Sequence, residues 1–189
     1  IFSMKKRNTV PNTLLQKIAS QIVTRAEDIH QQELDYDEVE KILAPYKRIG
    51  DLIVAQKMGL RIPTNEFFNL ARAYESRNEF TETQKIWKNK VKDLLDFRHG
   101  FHWELEFPII FWSGDQKGFD VIVGNPPFLG GLKIGGELGK NFLKYLKLRY
   151  SPSDGIADLS SYFLRIGFEL IKKMGFVSFV ATNTIAQGD

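Results

Sequence analysis

Phe119-Asp120-Val121-Ile122-Val123-Gly124-Asn125-Pro126-Pro127-Phe128 is the stretch from which the rest of the chain can be understood. Val121, Ile122 and Val123 are three successive β-branched residues, a composition that suits a strand buried on both faces. Gly124 lets another group come close to the backbone. Pro126 and Pro127 then end any ladder, since neither can donate a backbone hydrogen bond. The stretch therefore predicts a strand that runs into a stiff corner, at the carboxyl edge where open α/β sheets hold their ligands.

The residues of that corner have a definite chemistry. The Asn125 amide oxygen and the Pro126 carbonyl are both acceptors. Held side by side, they can take both hydrogens of an exocyclic amine. Phe128 offers a flat face on which a planar base can stack. The lone pair of a nucleobase amine is delocalised into its ring, so the amine is a poor nucleophile. Two acceptors on its hydrogens favour the tetrahedral, positive nitrogen that develops as it attacks an electrophile. The alternative is a structural turn that caps a strand.

Outside that stretch, composition sets broad bounds. The chain has 189 residues, 43% hydrophobic and 13% aromatic, with 15 Phe, enough for a real core. Its net charge of +3 and pI near 9.0 allow a nucleic-acid partner without requiring one. Cys is absent, which excludes disulfides and thiolate metal sites. His30, His99 and His102 are too scattered to predict a metal centre. No signal peptide and no apolar run long enough to span a membrane is legible, so a cytoplasmic location is the default expectation.

Residues 1–100 read as all-helical. Lys5, Lys6 and Arg7 predict a solvated basic start. Leu14, Leu15, Ile18, Ile22, Val23, Ala26 and Ile29 recur at helical spacing over residues 13–32. A second helix is expected after Asp35 or Asp37 and ends near Pro45. A third covers residues 46–57, with Ile49, Leu52, Ile53 and Met58 inward and Gly59 as its stop. A fourth spans residues 65–77, capped by Thr64. A fifth spans residues 82–98, with Thr81 and Gln84 forming a capping box and His99-Gly100 closing it. No catalytic constellation is visible in this region, and a packed helical arm is the expectation.

Residues 101–108 alternate large apolar and polar side chains, which predicts a strand ended by Pro108. His102 within it reads as a packed or hydrogen-bonded structural residue rather than a base. Residues 129–140 hold five glycines in ten positions (130–139), which predicts a mobile loop serving as a lid over the base pocket. It lacks the phosphate-loop pattern: Ile134 stands where a glycine is needed, and Asn141 where Ser or Thr is needed. Residues 138–149 read as an amphipathic helix with Leu138, Phe142, Tyr145 and Leu146 on one side and Lys140, Lys144 and Lys147 on the other. Residues 133–149 carry five basic residues (Lys133, Lys140, Lys144, Lys147, Arg149) and one acid, Glu137. This lysine face suits phosphates, although a solvated face has the same pattern. A turn at 151–155 leads to a helix over residues 157–174, with Leu159, Tyr162, Phe163, Ile166 and Leu170 inward, Lys172 and Lys173 in its last turn and Gly175 as its stop. Residues 176–181 form a second strand, and Thr182-Asn183-Thr184 follow it. Strand, helices, strand is a βαβ crossover and predicts a parallel pair.

Asn125-Pro126-Pro127-Phe128 on the end of a hydrophobic strand resembles motif IV of the S-adenosylmethionine-dependent amino-methyltransferases. The likeness is greatest to the N6-adenine DNA methyltransferases of the large type II (type IIG-like) restriction–modification family. Such a string arises by chance in about one chain in a thousand of this length. Residues 51–59 and 101–108 are similar to stretches that precede motif IV in those enzymes. Residues 175–184 resemble motif VI, and residues 181–189 look like the same type II branch. The resemblance implies an α/β, partial Rossmann-like methyltransferase fold in residues 101–189, behind a helical arm or insertion in residues 1–100. It implies an adenine flipped from double-stranded DNA onto Phe128, gripped by Asn125 and Pro126, with Pro127 stiffening the corner. Lys133, Lys140, Lys144 and Lys147 would meet phosphates. Asn125 would share an edge with the cofactor.

The cofactor's Gly-rich turn after a first strand is not in the sequence. The expectation is therefore a fragment around motifs IV to VI, inactive alone and weak in S-adenosylmethionine binding. Asn in place of the Ser of cytosine-N4 enzymes favours adenine. Two alternatives stand beside this one: a protein glutamine N5-methyltransferase, whose motif carries Tyr at the position of Phe128, and a non-catalytic helical interaction module. A fused nuclease has no acidic-plus-lysine cluster to support it here, and the oligomeric state is left open.

Overall fold

The computed structural model describes residues 16, 17, 20, 26–95, 100–112, 117–151 and 157–181. The tail expected at residues 1–10, the apolar positions Leu14, Leu15, Ile18, Ile22 and Val23, the turn centred on Ser153 and the final Thr182-Asn183-Thr184 lie outside them. Two compact units emerge, one from Ile1–Gln56 and Leu60–Ser113, the other from Lys57–Gly59 and Gly114–Asp189.

The first unit is helical. Its longest element, α1, runs unbroken over Ala26–Lys57. The sequence predicts a break at Pro45, and none occurs. A proline inside a helix costs stability partly because the carbonyl four residues earlier loses its donor. That carbonyl is Lys41 O, and the Arg77 guanidinium donates to it at 2.6 Å. The freed acceptor is thus satisfied from the residue that caps the end of a second helix, α2 (Thr64–Ser76). Helix α2 starts one residue earlier than expected, with Pro63 rather than Thr64 at the cap position. Helix α3 (Glu82–Leu94) opens on the expected capping box: Gln84 N–H donates to Thr81 Oγ1 at 3.3 Å, and Thr81 N–H to Gln84 Oε1 at 2.9 Å. Leu52, Ala55, Ile62, Leu70, Ala71 and Val91 form the core. Ile53, expected inward, is exposed, and so is Ile29.

The strand predicted at residues 101–108 is instead two short helices, α4 (Trp103–Glu106) and α5 (Pro108–Trp112). The alternation that mimics a strand serves ring packing within one turn. Trp103 and Phe107, four residues apart, stack with centroids 5.9 Å apart, and Phe101 meets Trp103 edge-on at 4.7 Å. Pro108 opens α5 rather than ending an element, because a first-turn N–H has no helical partner to lose. His102 is structural, as expected: its Nε2 lies 3.0 Å from Asp51 Oδ1, and a Cβ on Gly50 would sit 2.5 Å from its ring.

The second unit is α/β. Strand β1 (Phe119–Gly124) is followed by α6 (Gly131–Glu137), α7 (Lys140–Arg149), α8 (Leu159–Leu170) and β2 (Ile171–Phe179). The strands pair in parallel, as the crossover predicts, with Val121 opposite Phe176, Ile122 opposite Val177, Val123 opposite Ser178 and Gly124 opposite Phe179. Ile134, Leu146, Tyr150, Leu159 and Tyr162 form the core.

Four expectations fail in this unit. The glycine-rich stretch is not an open loop over its whole length. It is helical at α6, with Ile134 fully buried, and a Cβ on Gly135 would come within 3.1 Å of Leu143. The last helix stops at Leu170, so Lys172 and Lys173 belong to β2 and not to a helix end. Between Phe119 and Val121 the register jumps from Ile171 to Phe176, a bulge in which Met174 takes φ 68°. Gly175 is there because a side chain would meet Phe119 O at 2.9 Å and Asp120 O at 3.0 Å. Finally, β1 is covered on one face only. Val121, Val123, Phe176 and Val180 are exposed, Val123 by 75%. On β2 the other face lies against α8, where a Cβ on Gly167 would touch Val177 and Phe179. Phe163, expected inward, is exposed.

Candidate functional site

The Asn125-Pro126-Pro127-Phe128 corner leaves β1 at its carboxyl end and has no regular secondary structure. Its flanks are pinned. Val180 N–H donates to Gly124 O at 3.0 Å, which extends the parallel pairing to the last residue of β1. Leu159 N–H donates to Leu129 O at 2.9 Å, tying the far side of the corner to the start of α8. Pro126 is buried, whereas Asn125, Pro127 and Phe128 are exposed, Phe128 by 48%. Among the described residues no group hydrogen-bonds the Asn125 amide and no ring packs on Phe128.

Beneath the corner lies a cavity of about 300 Å³, walled by Pro126, Ser160, Leu164, Val177, Phe179 and Ala181. Asn125 and Phe128 are not in its wall. Ser160 is, and sequence reasoning missed it. Its N–H and Oγ both bond to Asp158 Oδ1, at 2.8 and 2.6 Å. Asp158 thereby caps α8 one residue after the predicted start. The signal was present: Asp-Leu-Ser-Ser ahead of an apolar helix is an N-cap pattern.

The four predicted lysines lie apart from this cavity. Lys133 is on α6 and Lys140, Lys144 and Lys147 on α7, all exposed and, among the described residues, without a carboxylate partner. Arg149 does not join them. It forms a two-pronged ion pair with Glu169 of α8, which holds its guanidinium more firmly protonated, and it lies over the Tyr150 ring. Burial raises the Tyr150 phenol above its ordinary value. At the opposite end of the sheet, the Lys172 ammonium bonds to Asp120 and holds that carboxyl below the usual range. Among the described residues no cluster of His, Asp and Glu could hold a metal, and no helix is long and apolar enough to cross a membrane.

An exposed amide and an exposed ring stand at the carboxyl end of a parallel strand, the edge at which open α/β sheets take their ligands. Comparison with known proteins makes the class specific. The Eco57I restriction-modification methylase family matches residues 9–189, and the chain belongs to that family. It is also similar to a Methanocaldococcus jannaschii protein named "Putative type II restriction enzyme and methyltransferase RM.MjaORFECS2P", with 30% identity over 120 residues. That match covers 62% of this chain and 9% of the relative. No solved structure matches the chain significantly.

Proposed function

We propose that the chain carries the target-base half of a DNA methyltransferase that modifies the N6 amine of adenine, within a restriction–modification system. The observation that carries this is the pinned corner: a fixed backbone with an outward amide acceptor and an outward ring, in a restriction-modification methylase family chain. In this reading residues 101–189 contribute to a Rossmann-like catalytic domain, and double-stranded DNA is the partner. The target adenine leaves the duplex and stacks on Phe128. Asn125 and the Pro126 carbonyl accept from its amino group, and Pro127 keeps that carbonyl in place. As the amine attacks, positive charge grows on nitrogen, and the two acceptors stabilise it without having to reorient. Lys133, Lys140, Lys144 and Lys147 neutralise phosphates and make binding salt-dependent.

S-adenosylmethionine, when bound, supplies an electrophilic methyl group. In this reading Asn125 shares an edge with that cofactor, and the Gly-rich turn that would hold it is not legible in residues 1–189. The chain's own part is therefore to bind, orient and activate the amine.

The test is Asn125→Ala in the complete protein. Methyl transfer to DNA should fall by about 10²–10³ or more, while S-adenosylmethionine binding changes little. Unimpaired transfer would remove Asn125 from the mechanism. Transfer to a protein glutamine in place of DNA would instead select the glutamine N5 alternative.

A further inference from the structure

The helical unit holds the larger cavity, about 600 Å³, and its wall is strongly basic. Lys41 and Arg48 reach it from α1, Arg77 from the end of α2, and Lys88 and Lys92 from α3. Asp51 is the one acid among the described residues that line it. That carboxylate is already engaged: it accepts from Gly100 N–H at 2.8 Å, lies 3.0 Å from His102 Nε2 and 3.7 Å from Arg48, and is 3% exposed. It cannot also balance the opposite wall. Lys41 and Lys88 have no carboxylate partner among the described residues.

Arg48 and Lys92 have partners of their own, which leaves Lys41, Arg77 and Lys88, one from each of three helical segments, and cations drawn together around one cavity repel one another unless an anion sits between them. Two further features fix this arrangement. Arg77 holds φ 55°, a conformation that favours glycine, and spends one donor on Lys41 O, so its guanidinium stays at the cavity mouth with donors to spare. Tyr74 and Phe80 pack edge to face at 5.1 Å in the same wall, and Lys88 Nζ sits 4.7 Å from the Phe80 centroid. A cavity of this size exceeds what a bare phosphate needs and is on the scale that takes a small organic ligand.

We propose that this cleft binds the phosphate of a nucleotide, with cations from three helices around the phosphate and the aromatic wall beside the sugar and base. Two sources share that chemistry, a free nucleoside polyphosphate and a nucleotide of a DNA strand. The site is separate from the Asn125 corner and does not rest on the role proposed there.

The whole chain is titrated with ATP and, separately, with a 20-base-pair duplex over a range of salt concentrations. The double variant Lys41→Gln/Lys88→Gln is compared with Arg61→Gln/Arg72→Gln, which removes the same charge from exposed positions of the same unit that do not line the cavity. Thermal melts verify that each variant folds. The cleft variant should weaken saturable binding about tenfold or more and, for the duplex, lower the slope of log K against log salt by about two. The control pair should stay within about twofold. Loss on ATP identifies a free nucleotide, and loss on the duplex alone identifies a DNA strand. The proposal is overturned if neither probe binds the unaltered chain, or if the two double variants lose affinity equally.

Discussion

Gly118→Ala, the addition of a single methyl group, should severely destabilise the α/β unit. Gly118 is buried just before β1 and has φ 112°. An alanine there is strained by about 1–3 kcal/mol whatever surrounds it. Its Cβ would also lie 2.6 Å from Ile171 C, 2.6 Å from Lys172 N and 2.7 Å from Leu170 O. These are backbone atoms at the junction of α8 and β2, and no rotamer moves them aside. Relieving the overlap means shifting the start of β2 away from β1, an overpacking cost of about 1–3 kcal/mol. The sum, about 4 kcal/mol, is a large share of the roughly 5–15 kcal/mol that stabilises a domain. Hydrogen exchange at the β1 and β2 amides reads the effect where it arises, and the urea midpoint by circular dichroism reads its total. Gly136→Ala is the control, because nothing lies within 4 Å of its added Cβ and it sits in α6; it should be neutral or stabilising by up to about 1 kcal/mol. Wild-type exchange protection in Gly118→Ala would refute the close approach of the two strands on which the placement of the corner depends.

Ile134→Ala empties a fully buried position of the second core and should cost about 2–5 kcal/mol in a chemical melt; an unchanged midpoint would mean that α6 is loose after all. Lys47 ties Glu40 of α1 to Glu106 of α4, at 2.8 Å to each. Burial alone would lower its pKa, but hydrogen bonds with Glu106 and Glu40 outweigh that and raise it above the ordinary 10.5. A raised lysine contributes stability that is complete below its unfolded value and is lost as pH climbs through the folded one. Lys47→Met should therefore remove about 1–3 kcal/mol near neutral pH and flatten the alkaline fall in melting temperature, and an unchanged alkaline flank would discount the pair. Phe176→Lys, at an exposed position of β2, should leave the melting temperature nearly unchanged; a large fall would show that the side chain is covered.

Elements whose signals are local were legible in the sequence. The Thr81–Gln84 capping box, the helix carrying Lys140, Lys144 and Lys147, and the β1 strand ending in two prolines each follow from a few adjacent residues. The failures came where a distant group decided the outcome. Pro45 reads as a stop because its neighbours cannot show that Arg77, 32 positions later, will take up the Lys41 carbonyl. Residues 101–108 alternate like a strand, yet two rings four residues apart can stack in a helical turn just as two residues of a strand can share a face. Five glycines read as slack, but Gly135 is small because α7 is close, and Ile134 between them is the residue that matters. At the corner, the chemistry that proposes Asn125 and Phe128 was legible from those residues alone. Ser160 and the cavity beneath Pro126 were not, since they depend on where α8 docks against the strand ends.

Exposure and rigidity usually oppose one another in a binding loop, and the corner after β1 combines them. Residues 125–130 include only exposed or half-covered side chains apart from Pro126. A free segment of that length would lose about 1–2 kcal/mol of backbone entropy per residue on closing around a ligand. Here the Gly124 carbonyl is bonded to Val180, the Leu129 carbonyl to Leu159, and Pro126 is sunk into the cavity wall. Pro126 and Pro127 restrict the two φ angles between those anchors. Most of the ordering cost is thus met when the unit folds, so under the function proposed above a base arriving at Asn125 and Phe128 would lose little affinity to rearrangement. It also follows that changes at the anchors should act through the corner. In that reading, a substitution that breaks the Leu129–Leu159 link would leave the Asn125 and Phe128 side chains in place and still weaken what they hold.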